Sequence, residues 1–290
     1  MKTFVITTDN TSDLSKEYVE EHEIGMMSLT YTIDETTYSY DNPLPLTDLY
    51  EKMRKGSVPT TSQVNPTEAK QVFSQMLEKY DCDILHISFS SGMSGSYNSA
   101  RIAAEELEEE GISHKIKIVD SLGASGGIAL MIHHALKFQA EGKSIDEVYD
   151  WLEENKLHIV HTLTVDDLNH LYRGGRLSKT SAIIGSIVNV KPLIYVNDEG
   201  VLIPNGNVRG RKKALNSLVD YMGEVLGSYA DQNELICLNH ADCEKDAEYV
   251  ASQIRERFHM ENIRISMIGP IIGTHVGPGG MILCYFGEHR

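Results

Sequence analysis

Basic residues are in short supply. Lys and Arg total 26 against 42 Asp and Glu, a formal net charge of -16. Affinity for nucleic acid comes mainly from neutralising phosphates with Lys and Arg, so this balance argues against nucleic acid as a general partner. Long apolar runs are missing as well. None approaches the roughly 18 residues of a membrane-crossing helix, which argues against stable membrane insertion. The apolar part of the first ten residues is too short for a signal peptide and reads as a first strand. Cysteine is scarce: Cys82, Cys237, Cys243 and Cys284 form no C-x-x-C pair. Three of them lie in or beside apolar strand-like runs, as expected of reduced core thiols in a cytoplasmic protein. There is no G-x-x-x-x-G-K-[ST] phosphate loop and no H-E-x-x-H, and no G-x-G-x-x-G follows the first strand. His158 and His161 alternate across a strand, and His133 and His134 are adjacent on a helix. Neither spacing suits a metal, so no metal and no cofactor is expected.

What is present is the pattern of a soluble α/β protein: 290 residues, 41% hydrophobic and 23% charged. In the first half, apolar runs at 4–8, 84–88 and 116–120 alternate with helical periodicity at 15–22, 46–55, 67–79, 97–109, 126–140 and 145–155. Strands separated by helical crossovers predict a mostly parallel sheet. A hairpin is expected around Asp34-Glu35. In the second half, strands are expected at 158–163, 193–196, 201–204, 235–239, 263–268 and 281–286, with a hairpin turn at Asn197-Asp198-Glu199-Gly200 and two amphipathic helices. This rhythm predicts a mixed sheet. The expected architecture is two α/β domains, 1–156 and 157–290, with a ligand site in the cleft between them.

The most telling segment is Ser88-Phe89-Ser90-Ser91-Gly92-Met93-Ser94-Gly95-Ser96, which joins a buried strand to a helix. Free N–H groups and the positive dipole end of such a helix, with small hydroxyl residues around them, suit a phosphate or a carboxylate. A plain N-cap with a tight glycine turn explains the same residues. Three further small-polar clusters, 9–13, 60–66 and 120–127, fall at strand or helix ends of the same half and suggest a hydroxyl-lined edge. Near the end of the chain, Gly273-Thr274-His275-Val276-Gly277-Pro278-Gly279-Gly280 reads as a stiffened loop presenting one imidazole. Tyr172-Arg173-Gly174-Gly175-Arg176-Leu177-Ser178 offers two arginines for an anion or a partner carboxylate. It precedes an apolar helix expected over 181–190. A basic stretch, Arg209-Gly210-Arg211-Lys212-Lys213, reads as a solvated helix start or a partner dock.

Taken in order, Thr61-Ser62-Gln63, Ser91 to Ser96, Asp120-Ser121, Arg173 to Ser178 and Thr274 to Gly279 resemble the DegV family along essentially the whole chain. The resemblance implies a DegV-like pair of α/β domains holding a long-chain fatty acid between them. It also implies a role as the fatty-acid-binding (FakB-like) subunit of a bacterial fatty acid kinase, without turnover of its own. A separate ATP-dependent kinase subunit would make the acyl-phosphate for phospholipid synthesis. On this resemblance Thr61, Ser62, Ser94, Gly95 and His275 hold the carboxylate, while Arg173 and Arg176 face the kinase. Met93, Ile128, Ile183, Ile184, Ile187, Ile194 and Ile271 are the expected tunnel residues. At about 0.8 kcal/mol per methylene, a tail of roughly fourteen methylenes gains about 11 kcal/mol before ordering costs. Each anion contact adds only about 0.3–2 kcal/mol. The tail therefore sets affinity and the polar cluster sets orientation. Two other classes compete. A binding module for a small phosphorylated metabolite would use the Ser/Gly edge. A stand-alone acyl enzyme would need Ser94 as nucleophile and His275 as base; no G-x-S-x-G nucleophile elbow is expected, and no orienting acid is evident beside His275.

Overall fold

The structure is a computed structural model and describes residues 2–177 and 189–290. The first half runs β1 (Phe4–Asp9), α1 (Lys16–Glu21), β2 (Gly25–Met27), β3 (Thr30–Ile33), β4 (Thr36–Tyr38), α2 (Leu46–Arg54), β5 (Thr60–Ser62), α3 (Pro66–Tyr80), β6 (Asp83–Ser88), α4 (Ser96–Glu109), β7 (Ile116–Asp120), α5 (Gly126–Ala140) and α6 (Ile145–Asn155). The second half runs β8 (Ile159–Thr164), α7 (Asn169–Arg173), β9 (Val190–Val196), β10 (Leu202–Arg209), α8 (Arg211–Val225), β11 (Ile236–His240), α9 (Glu244–Phe258), β12 (Ile263–Met267), α10 (Pro270–Val276) and β13 (Met281–Phe286).

As the sequence predicts, the first sheet is parallel, in the order β2-β1-β6-β7. β1 is buried at every position, as a strand covered on both faces must be. The second sheet is mixed, in the order β10-β9-β8-β13-β11-β12, with only β11 and β12 parallel. A third, antiparallel sheet, β4-β3-β5, is built on the two-residue turn Asp34-Glu35. Both turn residues have positive φ, 49° and 63°, the backbone that a tight hairpin needs. The hairpin is narrower than expected: Met26 and Met27 pair with β1 in the parallel sheet instead.

α5 explains why the two large sheets share one core. It packs on β1 and β6 on one side and on β11 and β13 on the other. A helix covered on two sides must be apolar nearly all round, and Ile128, Leu130, Met131 and Ile132 are all buried. Ile128 is spent on this packing.

Two short elements position the site. β5 is three residues long and alternates exposed, half-buried, exposed, so Thr61 faces inward while Thr60 and Ser62 face out. α3 follows it at once and is fixed by a capping box between Asn65 and Glu68, with Pro66 in its first turn. The expected loop 273–280 begins as helix: Gly273 to Val276 complete α10, which ends at Gly277 with φ 77°.

Candidate functional site

Thr61 on β5 and His275 on α10 meet through a hydrogen bond of 2.8 Å between the Thr61 hydroxyl and His275 Nε2. His275 Nδ1 is buried without a partner. It lies against Gly174, where a Cβ would stand 2.0 Å from Nδ1. Burial, with help from Arg176 and His170, pushes the His275 pKa down to about 4, so the imidazole is neutral at pH 7. Of the two neutral tautomers, the one with its proton on Nε2 leaves only a lone pair unpaired at Nδ1. The other would strand a buried N–H.

Arg176 is the third member. Its Nε donates to the Met93 carbonyl at 3.0 Å, and its Nη1 donates to the Gly174 carbonyl. Burial pulls its pKa below the usual arginine value. Arg176 has no carboxylate partner among the described residues, and the segment 178–188 contains no Asp or Glu. A half-buried guanidinium whose partners among the described residues are two carbonyls keeps a demand for an anion.

Two cavities meet at these three side chains. The inner one is narrow and mostly apolar. Besides Thr61, Arg176 and His275 its walls include Met93, Leu163, Leu171, Val196, Ile271 and Ile282, and Ser94 and Gln63 add the remaining hydroxyl and amide. The outer cavity, of about 600 Å³, is roomier and polar. It is lined by Thr60, His170, Arg173 and Thr274 together with the shared three. Arg173 lies on the outer side only, where its Nη2 donates to His170 Nδ1 at 3.2 Å.

Of the residues expected to hold an anion, Thr61, Ser94 and His275 are brought together and two are not. Ser62 faces away from the cavity, because it is one residue from Thr61 on a strand. Gly95 is the N-cap of α4 and lies outside the lining. Its missing Cβ admits the Gln63 amide, which would otherwise sit 2.4 Å away, so it serves the site through Gln63. Arg176 lies in the site itself, rather than only on the outer face. Among the expected tunnel residues, Met93 and Ile271 line the inner cavity. Ile128 does not. Ile194 on β9 is buried on the same side of its strand as Val196, paired with Leu163, but is not among the residues that line the inner cavity. Ile183, Ile184 and Ile187 lie outside the described residues, as do Ser178 and positions 181–188 of the expected helix; its last two positions are not helical, Asn189 being a turn and Val190 the first residue of β9. Gln63, His161, Leu163, Val196 and Ile282 were missed. They come from four separate strands or loops; Gln63 stood in the Thr61-Ser62-Gln63 motif without a role, and nothing local in the sequence marks the others.

The other polar clusters are knitted into the fold. Asn10 exchanges two hydrogen bonds with the Leu29 backbone. Asp9, whose pKa burial raises, accepts from the Thr11 and Phe89 amides. Asp120 accepts from the Ser91 and Leu122 amides. In the Ser/Gly turn, Ser90 donates to the Gly200 carbonyl, and Gly92 lets the Glu199 carbonyl approach. The Ser94 amide is bonded to the Ser90 carbonyl. What the turn offers the cavity is thus the Ser94 hydroxyl.

Contrary to the expectation of no nucleophile elbow, Gly123-Ala124-Ser125-Gly126-Gly127 fits the G-x-S-x-G pattern. It joins a strand to a helix, and Ser125 has φ 53° and ψ -128°. Its chemistry is structural. Ser125 is fully buried, donates to Asp13 and has no histidine partner. Burial raises the Asp13 pKa to about 7, and Asp13 also accepts from the Gly269 amide, at the start of α10. Among the described residues no cluster of His, Cys, Asp and Glu could hold a metal, and no helix is long and apolar enough to cross a membrane.

Comparison with known proteins extends over the whole chain. The family model described as "Uncharacterised protein, DegV family" matches residues 3–288. A DegV domain-containing protein of Clostridium perfringens is 42% identical over 292 residues, 100% of this chain and 99% of its own length. The solved structure of DegV from Bacillus subtilis, described as a fatty acid binding protein, has a TM-score of 0.84 at 28% identity, covering 99% of this chain and 100% of its own. A DegV family protein from Thermus thermophilus, described for its fatty acid binding, has a TM-score of 0.86 at 26% identity, covering 98% and 99%.

Proposed function

We propose that this chain, which belongs to the DegV family, holds a long-chain fatty acid and presents its carboxylate to a separate ATP-dependent kinase subunit. The single observation that carries this reading is the meeting of a narrow apolar cavity and a polar one at Thr61, Arg176 and His275. The apolar walls of the first suit an acyl tail, and a carboxylate at the junction would meet the guanidinium of Arg176, whose partners among the described residues are two carbonyls. The Thr61 hydroxyl can donate to that carboxylate while accepting from His275 Nε2–H, so the imidazole orients the hydroxyl without itself carrying charge. The Ser94 hydroxyl adds a further donor. Fatty acid binding by the relatives from B. subtilis and T. thermophilus supports the ligand class.

The transfer step belongs to the partner. A carboxylate oxygen attacks the terminal phosphorus of ATP, the bond to the bridging oxygen breaks, and ADP leaves as acyl-phosphate forms. This chain supplies orientation and charge, with Arg173 on the outer side for the partner or its nucleotide. In this reading the protein works in the cytoplasm, feeds phospholipid synthesis and has no turnover alone. Its two units divide at 156/157, after the parallel sheet and before the mixed one. A phosphorylated metabolite fits less well, because the walls of the inner cavity are largely apolar and most N–H groups of the Ser/Gly turn are spent. The test is lipid extraction from the purified protein followed by assay with ATP, with and without the kinase subunit. Acyl-phosphate only with both present supports the proposal; release of ADP and acyl-phosphate by this chain alone overturns the division of labour.

A further inference from the structure

A histidine lines the inner cavity where no polar group is needed. His161 on β8 lines the inner cavity with Ala124, Leu163, Val196 and Ile282, none of which lines the outer one. Both ring nitrogens are already engaged. Nε2 accepts from the Ala124 amide at 3.3 Å, which leaves Nδ1–H to donate to the Ile159 carbonyl at 3.1 Å. The ring therefore offers a ligand neither a proton nor a lone pair. Its neutrality agrees with a pKa that burial, and then Arg290, pushes down to about 3.

The ring is also pinned. A Cβ at Gly127 would stand 1.9 Å from Nε2, and one at Gly123 would stand 2.6 Å from Cε1. The glycines of the G-x-S-x-G turn thus make room for this imidazole rather than for a substrate. β8 is itself held between β9 and β13. A leucine or methionine wall yields to an extra methylene by changing rotamer. This ring cannot move without breaking two hydrogen bonds to the main chain.

We propose that His161 is the rigid end stop of the acyl cavity and sets the chain length of the fatty acid, an inference that rests on the function proposed above. It implies sharp rejection of longer acids rather than gradual tolerance.

The test is a series of dissociation constants for saturated acids from dodecanoic to docosanoic, measured on delipidated protein by displacement of a fluorescent acid. Affinity should tighten by about fourfold per methylene up to a limit. It should then weaken by at least about tenfold over the next two methylenes, as overpacking against a fixed wall requires. His161→Ala should move that limit to longer acids, and His161→Phe to shorter ones. If acids bind but affinity levels off without a break, or the limit is the same in wild type and a folded His161→Ala, the end stop is wrong and the carrier function stands. If no acid in the series binds the wild type, the carrier function falls and the end stop with it. The wild-type series decides by itself should the variants not fold.

Discussion

The hydrogen bond between Thr61 and His275 spans 214 residues of chain, so no local pattern could announce it. The residue types were legible: a hydroxyl, an imidazole, and arginines on either side of a Gly-Gly pair. Their selection was not. Thr61 enters the cavity and Ser62 does not because strand alternation separates them, and a three-residue strand shows no alternation in sequence. Thr61→Ala should remove the hydroxyl that His275 orients while leaving the tail untouched. Acyl-phosphate formation with the kinase subunit should fall by tenfold or more, while the dissociation constant for the acid rises by less than about tenfold. Parallel loss of both, by displacement binding and coupled kinetics, would contradict the division between tail affinity and head-group orientation. Arg176→Ala should weaken acid binding by about ten- to a hundredfold, the range for a hydrogen-bonded charge. Unchanged affinity would take Arg176 out of the carboxylate site.

At the scale of elements, long strands and helices with clear periodicity are where the sequence predicts them. β1, β6, β7, α5 and α6 coincide with apolar runs and helical spacing because burial dictated those residues. β5, α7 and α10, of three, five and seven residues, were not seen as strand or helices. Elements so short have too little periodicity to read and are held by what they pack against. These are the elements that carry Thr61, Arg173 and His275. The packing of α7 on α10 makes a specific prediction. Gly174, the cap of α7, has φ -72°, which alanine adopts freely, yet its Cβ would fall 2.0 Å from His275 Nδ1. Gly174→Ala should therefore shift the His275 ring and cut acyl-phosphate formation, while far-UV circular dichroism and the urea midpoint stay near wild type. Full activity in that variant would show that the ring position is not critical.

The whole molecule buries several histidines in neutral form. Burial pushes the pKa of His86 and His161 down to about 3, and of His134 and His275 to about 4. Unfolded, each regains a value near 6.5, so the unfolded state binds more protons between those limits. Stability should fall as pH drops below about 6.5, by up to about 1.4 kcal/mol per pH unit for each histidine. Asp13, raised to about 7, and Asp9, also raised by burial, act with the opposite sign, two carboxyls against four histidines. The urea midpoint should therefore be lower at pH 5 than at pH 7, and a flat or rising profile would contradict this balance.

The central claim concerns the entire architecture, an apolar cavity opening to a polar one at an arginine with no carboxylate partner among the described residues. It is tested most directly by native mass spectrometry of the purified protein, followed by denaturation and identification of what is released. The account predicts an added mass that resolves, on release, into one or a few long-chain fatty acids. A protein that stays empty, even after incubation with such acids, would contradict it.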